Sequence, residues 1–335
     1  MKIAVDCYEA GLYATGVGRV IENVLFSLAP MMPEDDFFVL SREPIKKFSA
    51  LNIVPRILSK DRGYFWWQNG PFRRVLKKIQ PDILIASNYT LPVFCRWKSL
   101  LIEHDVSFAS HPEWYPPREV LKRKFLVQRS LRKAECVVAV SDFSKSELMK
   151  YFDIEPEKIK VVYHGVDDLF QRSPAAQIDE WKERRGLRDK KIVGYLGSIF
   201  NRRNIPVLVQ SVARLREEQP DLVLYIIGKD MTHPPQDISR RLKKDWIRWE
   251  QTLDFDEIPL FYSSLDVFVY ISEYEGFGLP PLEALACGTV SVLLNKSSLG
   301  EIYQGMGVMA EEPDVSQVTE ALRTALYDEK TRTAV

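Results

Sequence analysis

A chain of 335 residues with 46% hydrophobic and 27% charged side chains, 16 Gly and 20 Pro has a globular profile, which excludes collagen-like and disordered classes. Lys+Arg 46 against Asp+Glu 46 leaves a formal net charge of zero and argues against a strongly basic nucleic-acid binder. At roughly 100–200 residues per domain two domains are expected, and no apolar run reaches the roughly 18 residues that cross a bilayer.

The N-terminus, Met1-Lys2-Ile3-Ala4-Val5-Asp6, reads as a strand that meets an acid at once, not as a signal peptide, so a soluble cytoplasmic chain is the expectation. Gly16-Val17-Gly18-Arg19 follows ten residues beyond that strand, and Ile21 stands where a dinucleotide fingerprint would need its third glycine. Apolar runs at 3–5, 37–40, 83–86, 100–102, 136–140 and 161–163 predict strands buried on both faces, with helical periodicity between them, as over 118–133. Residues 42–78 hold ten basic and two acidic side chains around Tyr64-Phe65-Trp66-Trp67. Residues 118–133 hold seven basic and one acidic. Such segments read either as core helices with solvated outer faces or as surfaces for anionic membrane.

Residues 171–189 contain Pro174, several charges and no strand-like run, so a linker is expected there, between domains at 1–170 and 190–335. Residues 1–167 carry 25 basic and 20 acidic side chains against 21 and 26 in the remainder, a polarity that the overall balance hides. New strands are expected at 192–196, 222–227, 267–271, 290–294 and 308–309, and a helix at 205–218. The fold class is therefore α/β, as two doubly wound parallel-sheet domains, with ligand sites at the carboxyl ends of the strands and a cleft between the domains.

Cys7, Cys95, Cys136 and Cys287 form no C-x-x-C pair, and His104, His111, His164 and His233 show no metal-ligand spacing, so no metal is expected. Asp254-Phe255-Asp256 is the lone D-x-D, and it fits the acidic start of a helix. The most informative stretch is 270–292, a strand, the turn Glu275-Gly276-Phe277-Gly278-Leu279-Pro280-Pro281, and a helix expected at 282–286 before Gly288. Main-chain amides at such a turn suit phosphate, and Glu275 and Glu283 suit vicinal hydroxyls, so the pattern points to a sugar nucleotide.

The E-G-F-G-L-P-P-L-E-A-L-A-C-G-T run resembles the signature of the retaining glycosyltransferases of family 4, which have the GT-B fold of two Rossmann-like domains. Gly16-Val17-Gly18-Arg19, Glu103-His104-Asp105-Val106-Ser107-Phe108, Val138–Ser144 and Val162–Asp167 are similar to further segments of that family in the same order. The resemblance implies a nucleotide-diphosphate sugar as donor, GDP-linked first and UDP-linked next, with no cofactor required. It implies Glu283 on the ribose, Glu275 on the transferred sugar, and the backbone of Gly276, Phe277, Gly278 and Leu279 on sugar and diphosphate. Arg203 would grip the diphosphate from the position where the family has Lys, and Arg202 would supply the charge missing at Ser198, where the family has Arg. Gly16 and Gly18 would approach the diphosphate from the other domain, and Glu301 would lie near the nucleotide. His104 would bond the sugar or acceptor with Asp105 orienting it, the alternative being that Asp105 caps the next segment.

The reaction implied is hexose transfer (mannose, rhamnose or glucose type) to a hydroxyl of a polysaccharide or lipid-linked glycan, at the inner face of the cell membrane. Residues 42–78 would make peripheral membrane contact, and no nucleic acid is involved. A nucleotide-sugar epimerase and a non-catalytic sugar-nucleotide-binding protein are the alternatives.

Overall fold

The computed structural model describes residues 1–11, 16–45, 52–58 and 63–328. They divide into two compact units, Met1–His164 and Gly165–Val335.

In the first unit, β1 (Lys2–Cys7), β2 (Asp36–Ser41), β3 (Ile53–Ile57), β4 (Ile83–Ala86), β5 (Lys98–Glu103), β6 (Cys136–Ala139) and β7 (Ile159–Val161) form one sheet in the order β3-β2-β1-β4-β5-β6-β7. Every pairing is parallel. The helices are α1 (Gly16–Met31), α2 (Tyr64–Trp67), α3 (Arg73–Ile79), α4 (Ser107–Ser110), α5 (Pro117–Lys133) and α6 (Asp142–Tyr151). Chain direction across the sheet reverses between β1 and β4, so their carboxyl ends make the switch point where doubly wound folds leave a crevice.

The second unit repeats the plan with β8 (Lys191–Leu196), β9 (Leu222–Ile227), β10 (Ile247–Glu250), β11 (Val267–Tyr270), β12 (Ser291–Leu294) and β13 (Val308–Ala310), in the order β10-β9-β8-β11-β12-β13. These pairings are also all parallel. Its helices are α7 (Ala175–Arg184), α8 (Ile205–Arg216), α9 (Ile238–Leu242), α10 (Ile258–Ser264), α11 (Leu279–Ala286), α12 (Ser297–Ile302) and α13 (Val315–Tyr327). Here the switch point lies at the ends of β8 and β11.

Central strands are the continuous apolar runs: every residue of β9, β11 and β12 is buried. Edge strands β3 and β10 escaped the apolar-run criterion because an edge needs only one covered face; Pro55 and Arg56 of β3 are exposed, and β10 reads Ile-Arg-Trp-Glu. The last strand of the first unit sits at Ile159–Val161 in place of 161–163, since Ile159 faces the core while Val162 and Tyr163 are exposed. The helices present one apolar stripe each, as Leu208, Val212 and Leu215 do in α8. Within 171–189, expected as a linker, lies α7, whose Trp181 is buried in the core of the second unit with Phe170 and Leu187.

Candidate active site

The expected donor-side residues gather beyond the carboxyl ends of β8 and β11. Gly197 leaves β8 at φ 141°, with Arg203 so close that a Cβ on Gly197 would stand 2.8 Å from its Nη1. Asn204 closes the next turn in the left-handed region at φ 51° and opens α8. Its Nδ2 donates to Ile271 O at 3.2 Å and to Glu273 Oε1 at 3.0 Å, which ties the β8 loop to the β11 loop.

Held this way, Arg203 donates from Nε to Glu275 Oε1 at 3.0 Å and from Nη1 to Ser198 O at 2.7 Å. Its guanidinium lies 5.0 Å over the Tyr270 ring. The same Glu275 oxygen accepts from Ser272 Oγ at 2.9 Å and from Tyr270 Oη at 3.2 Å. Burial pushes this carboxyl up, but the Arg203 and Arg202 charges and the hydrogen bonds from Arg203 and Ser272 outweigh burial and hold it below the usual carboxylate range. Burial works against the Arg203 charge too, but Glu275 together with Tyr270 and Tyr195 outweighs it and holds the guanidinium well above its ordinary pKa. Arg202 turns elsewhere, donating from Nε to Tyr274 O at 3.2 Å with its guanidinium 4.5 Å over Phe200.

The backbone of Glu275 is pinned by the start of α12: its N–H donates to Ser297 Oγ at 3.1 Å and its carbonyl accepts from Ser298 Oγ at 2.8 Å. Gly276 and Phe277 are buried, and Gly278 caps α11 at φ 89°. A Cβ on Gly278 would stand 2.7 Å from Leu299, and Tyr303 Oη donates to its carbonyl at 2.6 Å. The helix begins at Leu279, three residues before the expected 282, because Pro280 and Pro281 fit its first turn, where no N–H partner is needed. Glu283 therefore lies on the second turn, and Pro280 and Pro281 carry no amide N–H at the helix start. Glu283 is buried and its Oε2 accepts from Tyr262 Oη at 2.9 Å. Glu301 is exposed on α12, beyond the serines that hold Glu275.

In the first unit, His104 and Asp105 follow β5 directly. His104 Nε2 donates to Ser87 O at 3.1 Å, and the ring stacks 5.8 Å from that of His164. Burial lowers the His104 pKa to about 4 and that of His164 to about 3, so both rings are neutral near pH 7. Asp105 Oδ1 accepts from Ser107 N at 3.0 Å and Ser107 Oγ at 2.7 Å, an Asx turn just before α4, whose N-cap is Val106. Gly16 and Gly18 stand in the first turn of α1 and not in a loop. A Cβ on Gly18 would lie 2.0 Å from Glu9 O, whereas one on Gly16 would meet nothing within 4 Å.

Two buried acids have no role in the sequence reading. Asp6, next to last in β1, is buried and accepts from Tyr64 Oη at 2.7 Å and Tyr8 N at 3.1 Å; burial raises its pKa to about 6 against those hydrogen bonds. Glu103 ends β5 at 1% exposure, and neither carboxyl oxygen has a hydrogen-bond partner among the described residues. Burial, with Asp105 nearby, pushes it well up. The signal for both was an acid closing an otherwise apolar strand. Among the described residues no three His, Cys, Asp or Glu side chains are grouped to hold a metal, and Asp254-Phe255-Asp256 runs into a 3-10 turn, Phe255–Glu257.

Residues 14–170 match the family model described as Glycosyltransferase Family 4, and residues 177–335 match Glycosyl transferases group 1. O-antigen chain mannosyltransferase B of Escherichia coli is 30% identical over 234 residues, 68% of this chain and 61% of that protein. The serotype-specific mannosyltransferase WbdA of Escherichia coli is 25% identical over 274 residues, 76% of this chain and 34% of that protein. The chain thus spans less than two thirds of the length of these relatives. Among solved structures, WaaG, a glycosyltransferase involved in lipopolysaccharide biosynthesis, superposes with a TM-score of 0.79 at 15% identity over 99% of this chain and 92% of that one. Anabaena Alr3699/HepE in complex with UDP-glucose gives 0.76 at 18% identity over 100% and 92%. At such identities the likeness is one of fold, the GT-B fold.

Proposed function

From the premise that this chain belongs to the family 4 glycosyltransferases, we propose that it moves a hexosyl group, mannosyl first, from a nucleotide-diphosphate sugar to a hydroxyl of a surface polysaccharide or its lipid-linked precursor, with retention of configuration. The observation that carries the reading is the Arg203–Glu275 pair at the switch point of the second unit, beside the Gly276–Leu279 amides. A cation and a row of main-chain donors suit a diphosphate, and a carboxylate anchored by three donors suits sugar hydroxyls.

In this reaction the bond from the anomeric carbon to the diphosphate oxygen breaks while the bond to the acceptor oxygen forms. The acceptor proton passes to a phosphate oxygen, so no protein base is needed. Arg203 meets the negative charge that develops on the leaving group, and its fixed position avoids reorganisation at that moment. When donor occupies the turn, Arg203 shares its charge between Glu275 and phosphate. Glu283 takes the ribose hydroxyls, with Tyr262 fixing its carboxylate. Neutral His104 acts on sugar or acceptor as a hydrogen-bonding group, because its lowered pKa removes it as an acid near pH 7. The mannosyltransferases among the relatives favour a GDP-linked donor, and the UDP-glucose complex of a structural neighbour makes a UDP-linked one the next to test.

Calorimetry with GDP-, UDP-, ADP- and dTDP-sugars, followed by product analysis with and without a glycan acceptor, tests the assignment. Binding of one nucleotide sugar and acceptor-dependent product are expected. Conversion of donor to an epimer without acceptor, or no donor binding at all, overturns it.

A further inference from the structure

Of the basic segment at 42–78, residues 46–51 and 59–62 lie outside the described residues, whereas the second unit is described without a break from Gly165 to Asp328. Residues 165–174 are the stretch by which the chain enters that unit. A short turn opens it, with Leu169 N donating to Asp167 Oδ1 and Phe170 N to Asp167 O, each at 2.9 Å. Phe170 then turns inward: it is 6% exposed and belongs to the core of the second unit, although it precedes β8, the first strand there.

The Phe170 ring meets that of Tyr262 edge-on, with 6.2 Å between centroids, and that of Phe255 at 6.2 Å. Tyr262 is the fully buried residue of α10 whose Oη donates to Glu283 Oε2. Phe268 at 5.2 Å and Phe261 at 5.7 Å hold its ring as well, and its carbonyl accepts from Thr289 Oγ1 at 2.7 Å. The same entering stretch reaches both helices by hydrogen bonds. Ser173 N donates at 3.0 Å to Oγ of Ser263, the neighbour of Tyr262 on α10. Arg172 Nη1 donates at 3.1 Å to Gly288 O, just past the end of α11, the helix that carries Glu283. Gly288 stands at φ 73°, and a Cβ there would lie 2.9 Å from Arg172 Nη1, so the glycine makes room for the arginine. Phe170, Arg172 and Ser173 thus form a strap over α10 and the end of α11. Glu283 depends on both helices: its backbone belongs to α11 and its carboxylate is aimed from α10.

We propose that Phe170 and Arg172 are positioning residues for Glu283, and that seating of this strap is thermodynamically linked to binding of a nucleotide ribose. The inference rests on the transferase reading, which gives Glu283 the ribose hydroxyls. A carboxylate that receives two vicinal hydroxyls must hold its place to within about 0.5 Å, which requires its supporting groups to be packed. Without the Phe170 edge the Tyr262 ring gains room to turn, and its hydroxyl no longer fixes the carboxylate. Without Arg172 the end of α11 loses its tie to the strap. Linkage makes the effect reciprocal: the affinity that the seated strap adds returns as protection of the strap when nucleotide is bound.

Calorimetry with GDP and UDP, each beside its 2′,3′-dideoxy analogue, tests this on wild type, Phe170→Leu and Arg172→Ala. Phe170→Leu should bind the preferred nucleotide at least about fivefold more weakly and the dideoxy analogue as well as wild type does. In a Glu283→Ala background the same substitution should weaken binding no further. Arg172→Ala, at an exposed side chain, is the second variant should Phe170→Leu fail to fold, and a smaller loss in the same sense is expected. Hydrogen exchange at the Ser173 amide should slow when the nucleotide is added. Equal weakening of nucleotide and dideoxy analogue, wild-type affinity in both variants, or a Ser173 amide indifferent to nucleotide overturns the proposal. Wild type that binds neither nucleotide defeats the transferase reading and this inference with it, whereas binding with both variants unmoved defeats this inference alone.

Discussion

Arg203 and Glu275 are separated by 72 positions in the chain, yet Arg203 Nε donates to Glu275 Oε1 at 3.0 Å with each side chain only 11% exposed. A buried charge is tolerated when its partner and further hydrogen bonds replace water, and Ser198, Ser272 and Tyr270 supply those bonds. The pair fixes the β8 and β11 loops against each other, and in the proposed function it has a second role, presenting a guanidinium to the leaving diphosphate.

Removing one member separates these roles. Arg203→Ala should cost roughly 3–5 kcal/mol of stability by leaving Glu275 buried and unpaired, and should lower turnover by orders of magnitude. Arg203→Ala with Glu275→Gln should recover much of the stability and none of the turnover. Urea unfolding and initial rates on the same preparations check this, and near-wild-type rates in either variant would remove Arg203 from the mechanism.

Glu283→Ala should weaken nucleotide-sugar binding by about tenfold or more, because buried Tyr262 Oη also loses its acceptor. Tyr262→Phe keeps the carboxylate and should weaken binding less. Calorimetric titration of both variants distinguishes a ribose contact from a structural acid, and equal losses would favour the structural role.

The two N-terminal glycines should behave oppositely. Gly18→Ala drives a methyl to within 2.0 Å of Glu9 O and should destabilise the protein by at least about 2 kcal/mol. Gly16→Ala meets nothing within 4 Å, so its thermal midpoint should stay put. If Gly16 approaches the donor, as the family resemblance implies, Gly16→Ala should raise KM for donor at unchanged stability; an unchanged KM would leave it a helix-start residue.

Stability against pH is set by opposing groups. His104 and His164 have pKa values lowered to about 4 and about 3, so the stability that they contribute is full above their unfolded pKa near 6.5 and falls as pH drops through the folded values. Asp6 is raised to about 6, so its contribution is full below its unfolded value near 3.8 and is lost as pH rises through about 6. Glu103, also raised, acts in the same sense as Asp6. Between about pH 4 and 6 the slopes oppose one another. Asp6→Asn should therefore steepen the acid-side loss, and His104→Gln should reduce it. Denaturant midpoints measured across this range check the sign, and a steeper acid-side loss in His104→Gln would contradict the assignment.

Glu103 offers a separate check on burial. Its carboxyl has no partner to hold a charge, so Glu103→Gln should be neutral or stabilising at pH 7, and wild type should show the infrared band of a protonated carboxyl that the variant lacks. Loss of stability in the variant would show that an ionised Glu103 is paired in solution.

What the chain determines locally is considerable. Unbroken apolar runs mark the central strands, because a strand covered by helices on both faces cannot alternate. The E-G-F-G-L-P-P-L-E run marks a strand–turn–helix with carboxylates around a glycine turn, because only certain residues tolerate that backbone. Edge strands such as Ile53–Ile57 and Ile247–Glu250 were invisible, since one open face admits polar residues and leaves no apolar run to read. Only tertiary structure decided that Arg203 pairs with Glu275 while Arg202 turns to the Tyr274 carbonyl, that Gly18 is a packing glycine against Glu9, and that Asp6 and Glu103 are buried. Each depends on strand order, which places residues distant in the chain at one sheet edge and decides there which charges keep their water.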